Sequence, residues 1–338
     1  MCLLKKRNKN VILRPLFNQQ QKTDAPMVYN SGQIKMKKYL IVLSAIVLFA
    51  FTSCNKIMLS GNNITQEFNV PGYYTELCVE NAFEVTVSDA VSQITITTDE
   101  NVMPKVLVEK EGEKLKIHLK PLSVNIGSDL ELKVLLPYNA DLKKVNLSGA
   151  SEFRSNYGLD GQKVEVELSG ASAFYCNVEA DEVDVQLSGS SDYYGDIAAT
   201  DVDIDLTGSS DFNGDIIAAE IDMDLTGSSN IKGNMSATEL DLDLEGASDA
   251  ILIGEVTALK INLAGASNIV KTLEGTRYGF ACDNCEGAMS GASEAYIHCD
   301  GTIRVSLSGA SDLHFTGNAF TGDCTTSGGS NIIHDVLP

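Results

Sequence analysis

A five-residue signature of the form apolar, polar, Gly, small, Ser recurs ten times along the chain. It reads LSGAS at 147 and 168, LSGSS at 187, LTGSS at 206 and 225, LEGAS at 244, LAGAS at 263, MSGAS at 289, LSGAS at 307 and a divergent TSGGS at 326. Its glycines are Gly149, Gly170, Gly189, Gly208, Gly227, Gly246, Gly265, Gly291, Gly309 and Gly328, spaced by 21, 19, 19, 19, 19, 19, 26, 18 and 19 residues. A fixed short period marks a solenoid, in which each unit buries its apolar side only against its neighbours. Nineteen residues have room for two or three short strands and none for a helix as well.

Before each glycine the chain alternates, as in VEVEL, VDVQL, VDIDL, IDMDL and LDLDL. Apolar side chains at every second place predict an extended strand with one face inward. The strand ends at Ser-Gly or Thr-Gly, a second short strand follows (Ser210, Asp211, Phe212), and some laps turn again at Gly195, Gly214 or Gly233. Laps stacked about 4.8 Å apart make a parallel β-helix whose polar residues face outward.

Residues 66–141 lack the signature but still read as all-β. AFEVTVSD (82–89) and SQITITTD (92–99) alternate, VLVEKEGEKLKIHLK (106–120) predicts a hairpin turning at Glu111-Gly112-Glu113, and LELKVLLP (130–137) follows. These form irregular first coils or an N-terminal cap over the open end of the solenoid.

Upstream, MKKYLIVLSAIVLFAFTSC (36–54) joins a lysine-bearing start to an apolar run too short to span a bilayer comfortably. Its Thr-Ser-Cys ending resembles a bacterial lipobox, with Cys54 as the lipidated first residue of the mature protein. The organisation expected is an over-long start or non-native extension (1–35), a lipoprotein signal peptide (36–54), a linker (55–65), N-terminal β coils or cap (66–141) and the repetitive β-solenoid (142–338), the last two forming one domain. The net charge is -21, and residues 1–54 carry nine Lys/Arg against Asp24 alone, so residues 55–338 carry -29. Such a chain repels nucleic acid and anionic lipid, so the membrane is reached only through the N-terminal lipid.

The lipoprotein-like signal, the alternating N-terminal region and the repeated LSGASD, LTGSSD and GASNI together resemble the head GIN domain family of auto-transporter adhesins, common in Bacteroidetes envelopes. The resemblance covers about residues 66–338. It implies a right-handed parallel β-helix on a secreted or lipid-anchored protein, an outer-membrane lipoprotein facing the periplasm or the outside, and it brings no catalytic residues.

In a stacked solenoid, equal offsets from the glycine form columns. Two places after it stands Ser in all ten laps, from Ser151 to Ser330, able to pass hydroxyl bonds from lap to lap or to satisfy turn amides. Four places after it the series Phe153, Phe174, Tyr193, Phe212, Ile231 and onward reads as an inward stack. On the outward side of the first strand stand Glu165, Asp184, Asp203, Asp222 and Asp241, flanked by Lys144 and Lys260, beside Glu167, Gln186, Asp205, Asp224 and Asp243. At that spacing neighbouring carboxylates repel by roughly 0.9 kcal/mol per pair in bulk-water dielectric. Two readings stand: a grid at Asp184, Asp203, Asp205, Asp222, Asp224, Asp241 and Asp243 that binds Ca²⁺ weakly, or a solvated acidic face that keeps the protein soluble. No other cofactor is expected.

Among the thiols, Cys282 and Cys285 form a CDNC in the 26-residue lap, with neither the strand nor the helix a thioredoxin-like site needs. Cys282 lies nine before its glycine and Cys299 ten before the next, so the two nearly stack and are a candidate disulfide. The histidines, His118, His298, His314 and His334, are scattered without evident partners, there is no Trp, and minimal laps leave little wall for a catalytic groove. The function expected is therefore a non-enzymatic envelope adhesin or binding scaffold for a glycan or surface protein. The alternatives are a carbohydrate-active β-helix enzyme and a purely structural spacer. Within the 26-residue lap, Tyr278 to Ala288 is the stretch expected to be most irregular and the first choice for a specific contact.

Overall fold

The computed structural model describes residues 57–69, 72–120, 130–275 and 277–337; Cys54 and the segments 1–35 and 36–54 lie outside them. The described residues belong to one unit, Asn55–Pro338. They form a parallel β-solenoid, and the only helical turn among them is a 3-10 turn at Met103–Lys105. Each regular lap has three short strands. Asp201–Leu206, Asp211–Asn213 and Ile216–Ile217 make one lap, and each pairs in parallel with its equivalent 19 residues on. The alternation of the first strand is realised as read: Val202, Ile204 and Leu206 are buried while Asp201, Asp203 and Asp205 are exposed.

Two devices hold the laps together at the turn. The motif glycines have φ of +74° to +89°, and a Cβ on Gly208 would stand 2.6 Å from the Gly189 carbonyl oxygen. That oxygen accepts the Ser209 N–H at 2.8 Å, so the close approach is itself a rung of the ladder. The buried serines bond chiefly within their own turn, and two also meet the next lap as expected, Ser210 Oγ accepting the Ser191 N–H at 3.4 Å and Ser330 Oγ the Ser311 N–H at 3.3 Å. Ser210 Oγ donates to the Thr207 carbonyl of its own turn at 2.9 Å, and eight further laps repeat this bond, from Ser151 to Ser148 through Ser311 to Ser308. The hydroxyl donates there because the carbonyls of Leu206 and Gly208 already accept the ladder amides of Thr226 and Ser228, whereas that of Thr207 accepts none among the described residues. Beside it, Phe153, Phe174, Tyr193 and Phe212 stack inward with centroids 4.7–5.4 Å apart.

The N-terminal region contains a lap that the signature conceals. Glu76–Val79 lies parallel to Lys144–Leu147, and Glu84–Ser88 lies parallel to Glu152–Arg154. Asn81 (φ +74°) replaces the turn glycine and the buried Phe83 replaces the serine. Asn tolerates this left-handed conformation better than most residues. The cap stands outside this lap. Lys114–Leu119 and Leu132–Pro137 continue the parallel stack. Val106–Glu111 and Ile94–Asp99 then pair antiparallel to them, and Asn63–Phe68 pairs antiparallel to Ile94–Asp99. The hairpin turns between Glu111 and Lys114, with Gly112 at φ +62°.

Two boundaries differ from the reading of the sequence. A strand already starts at Asn63, inside the stretch read as linker, and Ser60 and Gly61 donate to the buried Asp99 carboxylate at 2.7 and 2.9 Å. In the 26-residue lap the irregular part is the excursion between Ile269 and Phe280, which contains the two-residue strands Leu273–Glu274 and Arg277–Tyr278. Phe280–Met289 runs parallel to residues 254–263 and 298–307, with one bulge between Cys282 and Asn284. The ten-residue strand must stay in register with both neighbouring laps to keep Cys282, Cys285 and Met289 in the core, so the extra length is extruded at the corner before it.

Candidate functional site

On the first face of the laps the backbone ladder brings the expected carboxylates into register. Glu165, Asp184, Asp203, Asp222 and Asp241 form one column between Lys144 and Lys260, and Glu167, Gln186, Asp205, Asp224 and Asp243 form a second between Asn146 and Asn262. A third column, Lys163, Glu182, Asp201, Glu220 and Glu239, lies two residues upstream. The sequence reading missed it, although carrying the alternation one step further would have found it.

The ends of this grid are neutralised. Lys144 Nζ reaches Glu165 at 2.6 Å and Glu167 at 2.5 Å. Lys163 bridges Glu182 and Asp184, and Lys260 pairs with Asp241 Oδ2. The other Asp241 oxygen, Oδ1, is buried with no hydrogen-bond partner. At the centre, Asp203, Asp205, Asp222 and Asp224 are exposed, with no ion pair or side-chain hydrogen bond among the described residues. Partial burial, then the charges of neighbouring aspartates, raises the pKa of Asp203, Asp222 and Asp224. A groove of about 730 Å³ runs along the second column, bounded by Gln186, Asp205, Asp224 and Asp243 and by Ser188, Thr207 and Thr226 at the turn.

The carboxylates make a ladder, not a cage. Among the described residues no group of three or more His, Cys, Asp or Glu is arranged to hold a metal ion. Side chains of one column point outward in parallel at the lap spacing, whereas Ca²⁺ needs six to eight oxygens converging at 2.3–2.6 Å. At the expected Ca²⁺ grid no chelating cluster is preformed among the described residues, and Asp184, Asp203, Asp205, Asp222 and Asp224 line one small cavity of about 150 Å³.

Cys282 and Cys299 are register partners on adjacent laps, and both are buried. A hydrogen bond to Cys285, followed by burial, raises the Cys282 pKa against the opposing contact with Cys299. The bond to Cys282 and then burial raise that of Cys299. Three thiols thus meet in the core, where the sequence paired only two.

The histidines do have partners: His118 lies 3.1 Å from Glu109 within its own hairpin, and the others meet groups on the adjacent lap. His314 Nδ1 lies 2.9 Å from Asp335 Oδ2, and its ring stacks on Tyr296 with centroids 4.7 Å apart. His298 Nδ1 lies 2.9 Å from Thr316 Oγ1. Tyr278, buried at the end of the excursion, also donates to Asp335. Burial works against the Asp335 carboxylate, but donation from Tyr278 and His314 outweighs it and lowers its pKa. Burial and then the bond to Glu294 push Tyr296 up to about 12.

The family model described as "Putative auto-transporter adhesin, head GIN domain" matches residues 73–231 and 212–319. The chain belongs to this family. Its repeated turn and three-stranded lap are what the head GIN match spans, from the concealed first lap to the strand at Asp312–Thr316. No curated protein sequence matches. Among solved structures, one described as a putative adhesin from Parabacteroides merdae is 17% identical with TM-score 0.42, covering 82% of this chain and 97% of that one. One described as a putative lipid binding protein from Parabacteroides distasonis is 18% identical with TM-score 0.43, covering 83% and 100%. A putative adhesin from Bacteroides fragilis is 12% identical with TM-score 0.33, covering 82% and 98%. The fold rests on the strand pairings above and not on these likenesses. Family membership associates the head GIN chain with the cell envelope or surface, and no helix among the described residues is long and apolar enough to cross a membrane.

Proposed function

We propose that the chain is a non-enzymatic adhesin, a stiff envelope-anchored scaffold whose lateral faces make repeated weak contacts with a glycan or surface protein. The observation that carries this reading is the uncompensated centre of the acidic face. Asp203, Asp205, Asp222 and Asp224 sit in register without cations, although Lys144, Lys163 and Lys260 neutralise the ends of the same grid. Packing could have placed lysine or asparagine there at no cost to the core, since these positions face solvent. A periodic, rigid, charged surface suits multivalent binding, in which many weak contacts add through effective concentration. Its sign selects neutral or cationic partners and repels nucleic acid and anionic lipid. Family membership supports the same reading. The signal-like segment 36–54 supports anchoring through a lipid on Cys54 of an outer-membrane lipoprotein.

The test is attachment of the producing cell to glycan- and matrix-coated surfaces. Deleting the gene should reduce attachment, wild-type protein should restore it, and Cys54→Ala should release the protein from the cell and fail to restore it. Undiminished attachment after deletion would contradict the proposal.

A further inference from the structure

The third face carries a groove of about 890 Å³ that the acidic ladder does not use. At one end stands Tyr157, in the one lap of 21 residues. Ser155 N–H bonds the Tyr175 carbonyl and Leu159 N–H bonds the Asn177 carbonyl, both at 3.0 Å. Three residues, Asn156 to Gly158, therefore span what Cys176 alone spans in the next lap. The surplus bulges outward and leaves Tyr157 42% exposed. The ring is nonetheless fixed: its Oη accepts the Asp89 N–H at 3.2 Å, and it leans on Tyr138, itself 44% exposed, with centroids 4.9 Å apart.

Beyond the ring the groove has a floor of small residues, Gly158, Gly161 and Ala180. Asp160 and Glu179 are register partners along it, both exposed, and neither has a hydrogen bond or ion pair among the described residues. Their neighbours Asp196 and Asp215 differ, since each Oδ1 accepts the backbone N–H of the equivalent residue one lap on, at 3.0 and 2.9 Å. Asp160 and Glu179 are thus free acceptors beside a held aromatic face.

The geometry points to a binding site for a neutral glycan chain, lying along the solenoid axis with one sugar ring on Tyr157 and its hydroxyls donating to Asp160 and Glu179. An aromatic face packs against the C–H face of a pyranose, and ionised carboxylates only accept, which matches hydroxyl donors. The same carboxylates repel uronate and sulfated chains. This inference rests on the adhesin reading and names the ligand class for it.

The test is calorimetric titration of residues 55–338, which form a unit of their own, with cellohexaose, mannohexaose and xylohexaose, using an oligogalacturonate of equal length as the anionic control. At least one neutral chain should bind and the anionic one should not. Tyr157→Ala should weaken binding about tenfold. Glu179→Gln should weaken it several-fold, Tyr157→Phe should retain it because the ring remains, and Glu67→Gln on the exposed N-terminal cap strand should leave it unchanged. Unchanged melting curves would show that the variants fold. Neutral-glycan binding indifferent to both Tyr157→Ala and Glu179→Gln would overturn the groove assignment and leave the adhesin reading standing. Binding of no neutral chain in the titration would overturn the ligand class alone if gene deletion still reduced attachment, and would overturn both readings if it did not.

Discussion

Asn262 donates its side-chain amide to Asp243 Oδ1, one lap below, at 2.5 Å. The same device recurs on the second face, where Asn230 donates to Asp211, Asn268 to Asp249 and Asn331 to Asp312, at 2.7, 2.8 and 2.8 Å. In a stacked lap, an amide above a carboxylate turns a repulsive neighbour into a hydrogen-bonded one. The centre of the first face has no such alternation.

Asp222→Asn should therefore stabilise the protein at neutral pH. It removes repulsion with Asp203 and Asp241, roughly 0.9 kcal/mol per pair before screening, and supplies an amide donor. The expected net gain is about 1 kcal/mol at low salt, or about 2 °C in melting temperature. The pKa of Asp222 is raised in the folded state, so its protonation favours the fold below the unfolded value, and that contribution is lost as pH rises through the folded value. The advantage of the variant should accordingly shrink on acidification and in high salt. Thermal melts at neutral and acid pH check both.

Gly208→Ala should be far more damaging than Gly61→Ala. Both glycines have positive φ, +84° and +76°, but a Cβ on Gly208 meets the Gly189 carbonyl oxygen, whereas nothing lies within 4 Å of one on Gly61. The expected losses are about 3 kcal/mol or more at Gly208 and about 1 kcal/mol at Gly61. Denaturant melts of the two variants would separate close approach from backbone strain.

Asp99 should tie the N-terminal segment down in a pH-dependent way. Burial raises its pKa, but donation from Asn101, Gly61 and Ser60 outweighs this and lowers it. Its contribution is present above the unfolded value and is lost as pH falls through the folded one. Amide exchange at Ser60 and Gly61 should quicken over that window, and Asp99→Asn should quicken it already at neutral pH. Exchange unchanged in the variant would show that these amides are protected by something else.

Cys282 and Cys299, buried and with raised pKa, should resist maleimide in the native state while the half-buried Cys324 labels first. Refolding of the denatured, reduced protein with oxidised glutathione should join Cys282 to Cys299, the two thiols giving up two electrons and two protons as the glutathione disulfide is reduced. Peptide mapping that found Cys282 joined to Cys285 instead would contradict the pairing expected from their register.

The lap itself was legible because Val202, Ile204 and Leu206 alternate with aspartates and Gly208 recurs at a fixed interval, which fixes strand, face and register together. The first lap was not, because Asn81 and Phe83 fill the turn and serine positions and keep the geometry without the letters. The acidic face was readable as columns, since register follows from period. Whether its carboxylates converge depends on side-chain direction, which period does not carry. The bonds of His314 to Asp335 and of Tyr157 to Asp89 join residues 21 and 68 apart in sequence. Only the stacking of laps and the return of the chain from the cap bring them together.

The most direct measurement is a glycan and matrix-protein array probed with residues 55–338, once with Ca²⁺ and once with chelator. An adhesive scaffold without a metal cage predicts specific binding that survives chelation. Silence under both conditions would contradict the adhesive role and leave the rod as a structural spacer, whereas binding lost on chelation would contradict the ladder description of the acidic face and restore a chelating site there.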